Sequence, residues 1–163
     1  MTGHEYAIQV ARYVLKNFED RGLRVYREVP IGKSIIGKDR RADLFLVDDR
    51  SNKGFVVQCK FQDKSGTADE KIPYAIDDLR AMRLPGCLAY GGEGFSMGIL
   101  HMLRASDMAA YCLPGPDLAR TDDTWQLDHV LAIQFGWWDL LTDERRRVRL
   151  TEVPENPMQL KLS

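Results

Sequence analysis

The chain has 163 residues, 44% of them hydrophobic and 29% charged, with a net charge of −1. That length suits a single domain over residues 1–163, and the balanced charge excludes a uniformly basic nucleic-acid coat. No stretch reaches the roughly 18–20 continuous apolar residues of a membrane span, which excludes a membrane partner, and MTGHEYAIQV lacks the basic and apolar segments of a secretory signal.

Taken in chain order, the first element is a helix from His4 to about Arg21. Ala7, Ala11, Val14 and Phe18 recur at helical spacing, Thr2 and Glu5 have the spacing of a capping box, and Gly22 stops the helix. Leu23 to Ile31 reads as a strand that leads into the loop GKSIIGK. Ala42 to Val47 and Phe55 to Phe61 read as two further strands. DDRSNKG between them is turn chemistry, so they form an antiparallel hairpin. A helix from Asp69 to Met82 ends before Pro85-Gly86. A short strand, GCLAY, and a helix from Phe95 to Arg104 follow. Further on, VLAIQFGWWDLL mixes strand and helix signals, VRLTEV reads as a late strand, and the tail from Pro154 reads as loosely attached. The order predicts an α/β fold with a mixed sheet flanked by helices, a core over about 1–105 and C-terminal additions over about 106–163.

Cys59, Cys87 and Cys112 form no CxxC pair. The odd count and long spacings exclude a zinc site and a disulfide framework, and they fit a reducing cytoplasm. Ser65-Gly66-Thr67 lacks the spacing of a phosphate loop, and GGEG is too short for a dinucleotide fingerprint, so no nucleotide cofactor is expected.

The strand FVVQCKF carries two faces. Phe55, Val57, Cys59 and Phe61 form a core face, and Gln58, Lys60 and Gln62 share the other. In ADLFLV the lone ionisable residue is Asp43, and a buried carboxylate needs a partner. With the turn centred near Ser51, Asp43 lies across from about Cys59, beside Gln58 and Lys60. Two readings follow. One is an Asp43–Lys60 ion pair that stabilises the sheet. The other is a site for a hard cation such as Mg²⁺, held by Asp43 with the Gln58 amide oxygen or a strand carbonyl, and with Lys60 beside a reacting water or phosphate.

The pairing of Arg41-Ala42-Asp43 with Gln58-Cys59-Lys60 on adjacent strands behind an amphipathic helix resembles the PD-(D/E)XK nuclease superfamily. The resemblance covers roughly residues 1–105 and implies a restriction-endonuclease-like αβββαβ core. It implies an Mg²⁺-dependent (or Mn²⁺-dependent) endonuclease that hydrolyses DNA phosphodiester bonds, of restriction, resolvase or repair type. By that resemblance Asp43, Gln58, Lys60 and Glu5 are the catalytic set, and Asp43, Glu5, Gln58 and the backbone carbonyl of Cys59 are the metal ligands. Two positions depart from the pattern: Ala42 stands where the family has proline, and Gln58 replaces a second carboxylate. The second departure removes a negative charge, which Glu5 or Glu70 could restore. It also keeps open an inactive DNA-binding or assembly module of the same fold.

DNA contacts are expected from Lys33, Lys38, Arg40 and Arg41. Gln62, Glu70 and Lys71 are candidates for lining the substrate path. Arg145, Arg146, Arg147 and Arg149 form a second basic segment. A double-strand cut or junction resolution would require two sites, which a homodimer would supply.

Overall fold

A computed structural model gives the structure of the chain, described for residues 1–156 and 158. Helix α1 spans Gly3–Phe18 and begins at a complete capping box, in which the Thr2 hydroxyl accepts the Glu5 N–H and the Glu5 carboxylate accepts the Thr2 N–H. It buries Tyr6, Val10, Tyr13, Val14 and Phe18. Gly22, with φ of +93°, then turns the chain into β1.

Strands β1 (Leu23–Lys33), β2 (Asp39–Asp48) and β3 (Lys53–Phe61) form a meander. Helix α2 (Ala68–Ala81), β4 (Gly86–Gly91), α3 (Met97–Ala105), β5 (Ala109–Tyr111) and α4 (Trp125–Phe135) complete the order. The sheet runs β1-β2-β3-β4-β5, with β1, β2 and β3 antiparallel and β3, β4 and β5 parallel. It is the expected mixed sheet. Helices α1 and α4 cover one face, sharing a core with Leu44, Leu46, Val57 and Cys59. Helices α2 and α3 cover the other, over Val56, Leu88 and Tyr90.

The C-terminal third differs from the sequence reading. Leu127, Leu131 and Phe135 of α4, with Trp137, belong to the α1-side core, so the packed unit runs well past the boundary expected near residue 105. Trp137 stacks on Phe18 at 5.0 Å, while Trp138 is exposed. VRLTEV is not a strand; 3₁₀ turns occupy Glu144–Arg146 and Leu150–Glu152, and Val148 and Leu150 are exposed. Alternating apolar residues make a strand only where a sheet edge receives them, and none does here among the described residues. Residues 157 and 159–163 of the expected loose tail lie outside the described residues.

All three cysteines are buried and unpaired. Burial pushes their thiols up, Cys87 to about 12. Among the described residues no helix is long and apolar enough to cross a membrane.

Candidate active site

The β2–β3 hairpin forms as expected from DDRSNKG, but its regular pairing ends at Leu44–Val57. That register sets Asp43 level with Gln58, one residue from the expected Cys59. Beyond it, side chains replace the backbone ladder. The Gln58 Oε1 accepts the Asp43 N–H at 2.8 Å, and the Gln58 Nε2 donates to the Arg41 carbonyl at 3.1 Å. The Asp43 Oδ2 accepts the Cys59 N–H at 2.8 Å. An amide suits position 58 physically, because a carboxylate could not donate to the Arg41 carbonyl and would add a charge beside Asp43.

The β1 side of Asp43 is also irregular. Arg27 faces Leu44 and Val29 faces Ala42, so Glu28 and Asp43 share the rung between them. Glu28 has φ of +55°, a left-handed conformation costly for a residue with a side chain. The two strands turn over at this rung. Val25 and Leu44 pack towards α1, whereas Val29 and Ala42 pack towards α2. Strict alternation would keep each strand's pair on one face. The register sets two carboxylates level at this turnover.

Asp43, Gln58, Lys60, Lys38, Arg41 and Lys71 line a cleft of about 370 Å³. Burial pushes the Asp43 carboxyl above its ordinary range. The Cys59 N–H and the positive charge of Lys60 oppose that shift, and Glu28 adds to it. A direct Asp43–Lys60 ion pair is not formed among the described residues. Lys60, which lines the cleft, therefore acts on Asp43 through space.

The other expected residues divide. Lys38, Arg41 and Lys71 line the cleft; Arg41 also lies 3.7 Å from Glu28. Arg40 does not present itself to the cleft. Its guanidinium grips Asp78 through two bonds of 2.9 and 2.8 Å, and burial of both partners makes it a structural anchor. Lys33 is paired with Asp39. Gln62 is buried, donating to Asp69 and the Gly94 carbonyl and accepting the Ala68 N–H, so it ties β3 to α2 and to the loop after β4. Glu5 is exposed and engaged in the α1 cap at 2.6 Å, and Glu70 is exposed and outside the cleft lining. Among the described residues no cluster of three or more His, Cys, Asp or Glu side chains stands ready for a metal.

A family model described as the PD-(D/E)XK nuclease superfamily domain matches residues 2–138. The chain belongs to the PD-(D/E)XK nuclease superfamily. Its αβββαβ order and mixed sheet are those of a restriction-endonuclease-like fold, and the matched span takes in α4. The chain is similar to a repair endonuclease from Pyrococcus abyssi, known from its crystal structure, at 20% identity and a TM-score of 0.34. That match covers 60% of this chain and 42% of the other, so this PD-(D/E)XK domain spans less than half the length of that relative. No curated protein matches the chain.

Sequence reasoning missed Glu28. Its strand reads as plain alternation, and a positive φ leaves no mark in residue order. The available signal was an acidic residue on the strand that must pair with Asp43.

Proposed function

We propose that this PD-(D/E)XK domain is an endonuclease that hydrolyses DNA phosphodiester bonds with Mg²⁺ or Mn²⁺. One observation carries the reading: a buried carboxylate, Asp43, lacks a cation in direct contact and lies level with Glu28 of β1, in a cleft whose lining includes Lys38, Arg41, Lys60 and Lys71. The donor set fits a hard cation that keeps much of its water, since such ions take one or two carboxylates and leave the remaining positions to water. Asp43 would hold the ion, with Glu28 as the second carboxylate and the Cys59 carbonyl as a further oxygen. A bound Mg²⁺ would supply Lewis acidity at the phosphate and lower the pKa of water.

The chain's own residues do the rest. Gln58 fixes the β2 backbone at Asp43 and acts as a positioning residue, not a ligand. Lys60 orients the attacking water and offsets the charge that builds on the phosphate. The bond that forms joins the water oxygen to phosphorus; the one that breaks joins phosphorus to the leaving sugar oxygen, which takes up a proton. Lys38, Arg41 and Lys71 contact backbone phosphates.

Supercoiled plasmid with Mn²⁺ or Mg²⁺, read on a gel, tests this. Wild type should nick or cut it, and Lys60→Ala should not. A double-strand cut with a concentration-dependent rate would point to two sites in a homodimer. A second reading, a DNA-binding module without hydrolysis, is favoured by the Gln58 amide, which leaves the (D/E)XK segment without its own carboxylate. Retained DNA binding with every DNA form left uncut, branched and single-stranded included, would select it.

A further inference from the structure

The tip of the β1–β2 hairpin breaks the rules of its own turn. Gly37 N–H donates to the Ser34 carbonyl at 2.9 Å, so Ser34-Ile35-Ile36-Gly37 is a tight turn with isoleucines at both corners. Such corners favour Gly, Pro, Asn, Asp and Ser. Here two β-branched apolar residues stand in solvent, Ile35 49% and Ile36 60% exposed. Adjacent exposed apolar side chains rimmed by polar residues mark interaction sites.

The tip is also anchored through its backbone. Asp78 of α2 accepts the Ile35 N–H at 3.0 Å with the carboxylate that grips Arg40, and Ser34 N–H donates to the Lys38 carbonyl at 2.8 Å. A pre-ordered tip loses little entropy on binding. Its place is specific: Ile36 lines the same cleft as Asp43 and Lys60, with Lys38, Arg41 and Lys71 around it. Ile35 lines the neighbouring cavity with Lys33 and Arg40, so the tip stands between two clefts that both carry cations. An exposed apolar tip flanked by cations suits a stacked polyanion whose phosphates meet the cations while its base step meets the isoleucines.

We propose that Ile35 and Ile36 form a wedge that enters a base step of duplex DNA and unstacks it, bringing the adjacent phosphate to Asp43. The inference rests on the nuclease reading and names its substrate as duplex DNA deformed at the cut site. Apolar side chains inserted between base pairs kink the helix, and the cost of unstacking is least where a mismatch or nick has already weakened the stack.

The test uses the full chain and short duplexes carrying 2-aminopurine at successive positions, with Ca²⁺ in place of Mg²⁺. Wild type should raise the fluorescence at one position by about threefold, as expected when one step is unstacked. The double variant Ile35→Ser, Ile36→Ser, with circular dichroism and melting checked against wild type, should give no rise. It should bind intact duplex about tenfold more weakly, and a duplex with a mismatch at that step nearly as well as wild type does. No position-dependent rise with wild type, or an equal rise with the variant, overturns the wedge. So does a loss of self-association in the variant by sedimentation with unstacking unchanged, which would make the tip a contact between copies. Plasmid cleavage is scored separately: unstacking without hydrolysis overturns the nuclease reading alone, and hydrolysis without unstacking overturns the wedge alone.

Discussion

Two carboxylates line the same cleft and differ in what answers their charge. Asp78 takes both arms of the Arg40 guanidinium and the Ile35 N–H, and Arg40 first among these holds its carboxyl below the usual range. Asp43 receives one backbone N–H, and burial pushes it the other way. The chain pairs Asp78 with one of its own cations and gives Asp43 no ion pair among the described residues. A buried carboxylate without an ion pair is costly to the sheet, and stability alone does not account for it.

The sharpest way to break that contrast is Asp43→Asn. Plasmid cleavage should fall by about 10³-fold or more, because the carboxylate proposed to hold the cation is gone. Thermal unfolding should stay level or rise, since a buried charge is removed while an oxygen remains for the Cys59 N–H. Next comes Asp78→Asn, which should lower the unfolding free energy by about 1–3 kcal/mol in urea titrations, because it leaves the buried Arg40 guanidinium without its charge partner, and should leave cleavage largely intact.

The pH dependence of melting separates the two again. The stability that Asp78 contributes is present above 3.8 and is lost as pH falls through its depressed folded pKa. For Asp43 the sign reverses: its contribution is present below 3.8 and is lost as pH rises through its raised folded pKa. Each Asn variant should flatten its own limb of the melting curve and leave the other.

Glu28→Gln should weaken Mn²⁺ binding about tenfold without DNA present, read by electron paramagnetic resonance of free Mn²⁺. An unchanged affinity would remove Glu28 from the cation site. The smallest effect belongs to Glu5→Ala. It should lower the melting temperature slightly through the lost cap and leave cleavage unchanged; a loss of cleavage would return Glu5 to the site.

Much of this arrangement is legible in residue order. The capping box at Thr2 and Glu5, the turn residues of DDRSNKG and the two faces of FVVQCKF are local signals, and the structure keeps each of them. The proximity of Asp43, Gln58 and Lys60 follows from those same signals. What stayed hidden depends on side chains choosing between partners. Gln58 and Gln62 look like residues facing substrate, yet each ties separate backbone segments together. Arg40 and Arg41 are neighbours in a basic run, and only the position of Asp78 decides which one is taken. Helix α4 is apolar around much of its circumference, which blurs the helical period, and its place was fixed by packing against α1.

The burial of Cys59, Cys87 and Cys112 has a practical side. With every native thiol enclosed and held protonated, the folded chain is already a quiet background for site-directed labelling. A cysteine introduced at Ile36 should be the one thiol that reacts quickly with a maleimide, whereas wild type under the same conditions should stay unmodified until denaturant is added. A dye or spin label at the hairpin tip could then report its distance from a labelled DNA end without any native residue being replaced elsewhere.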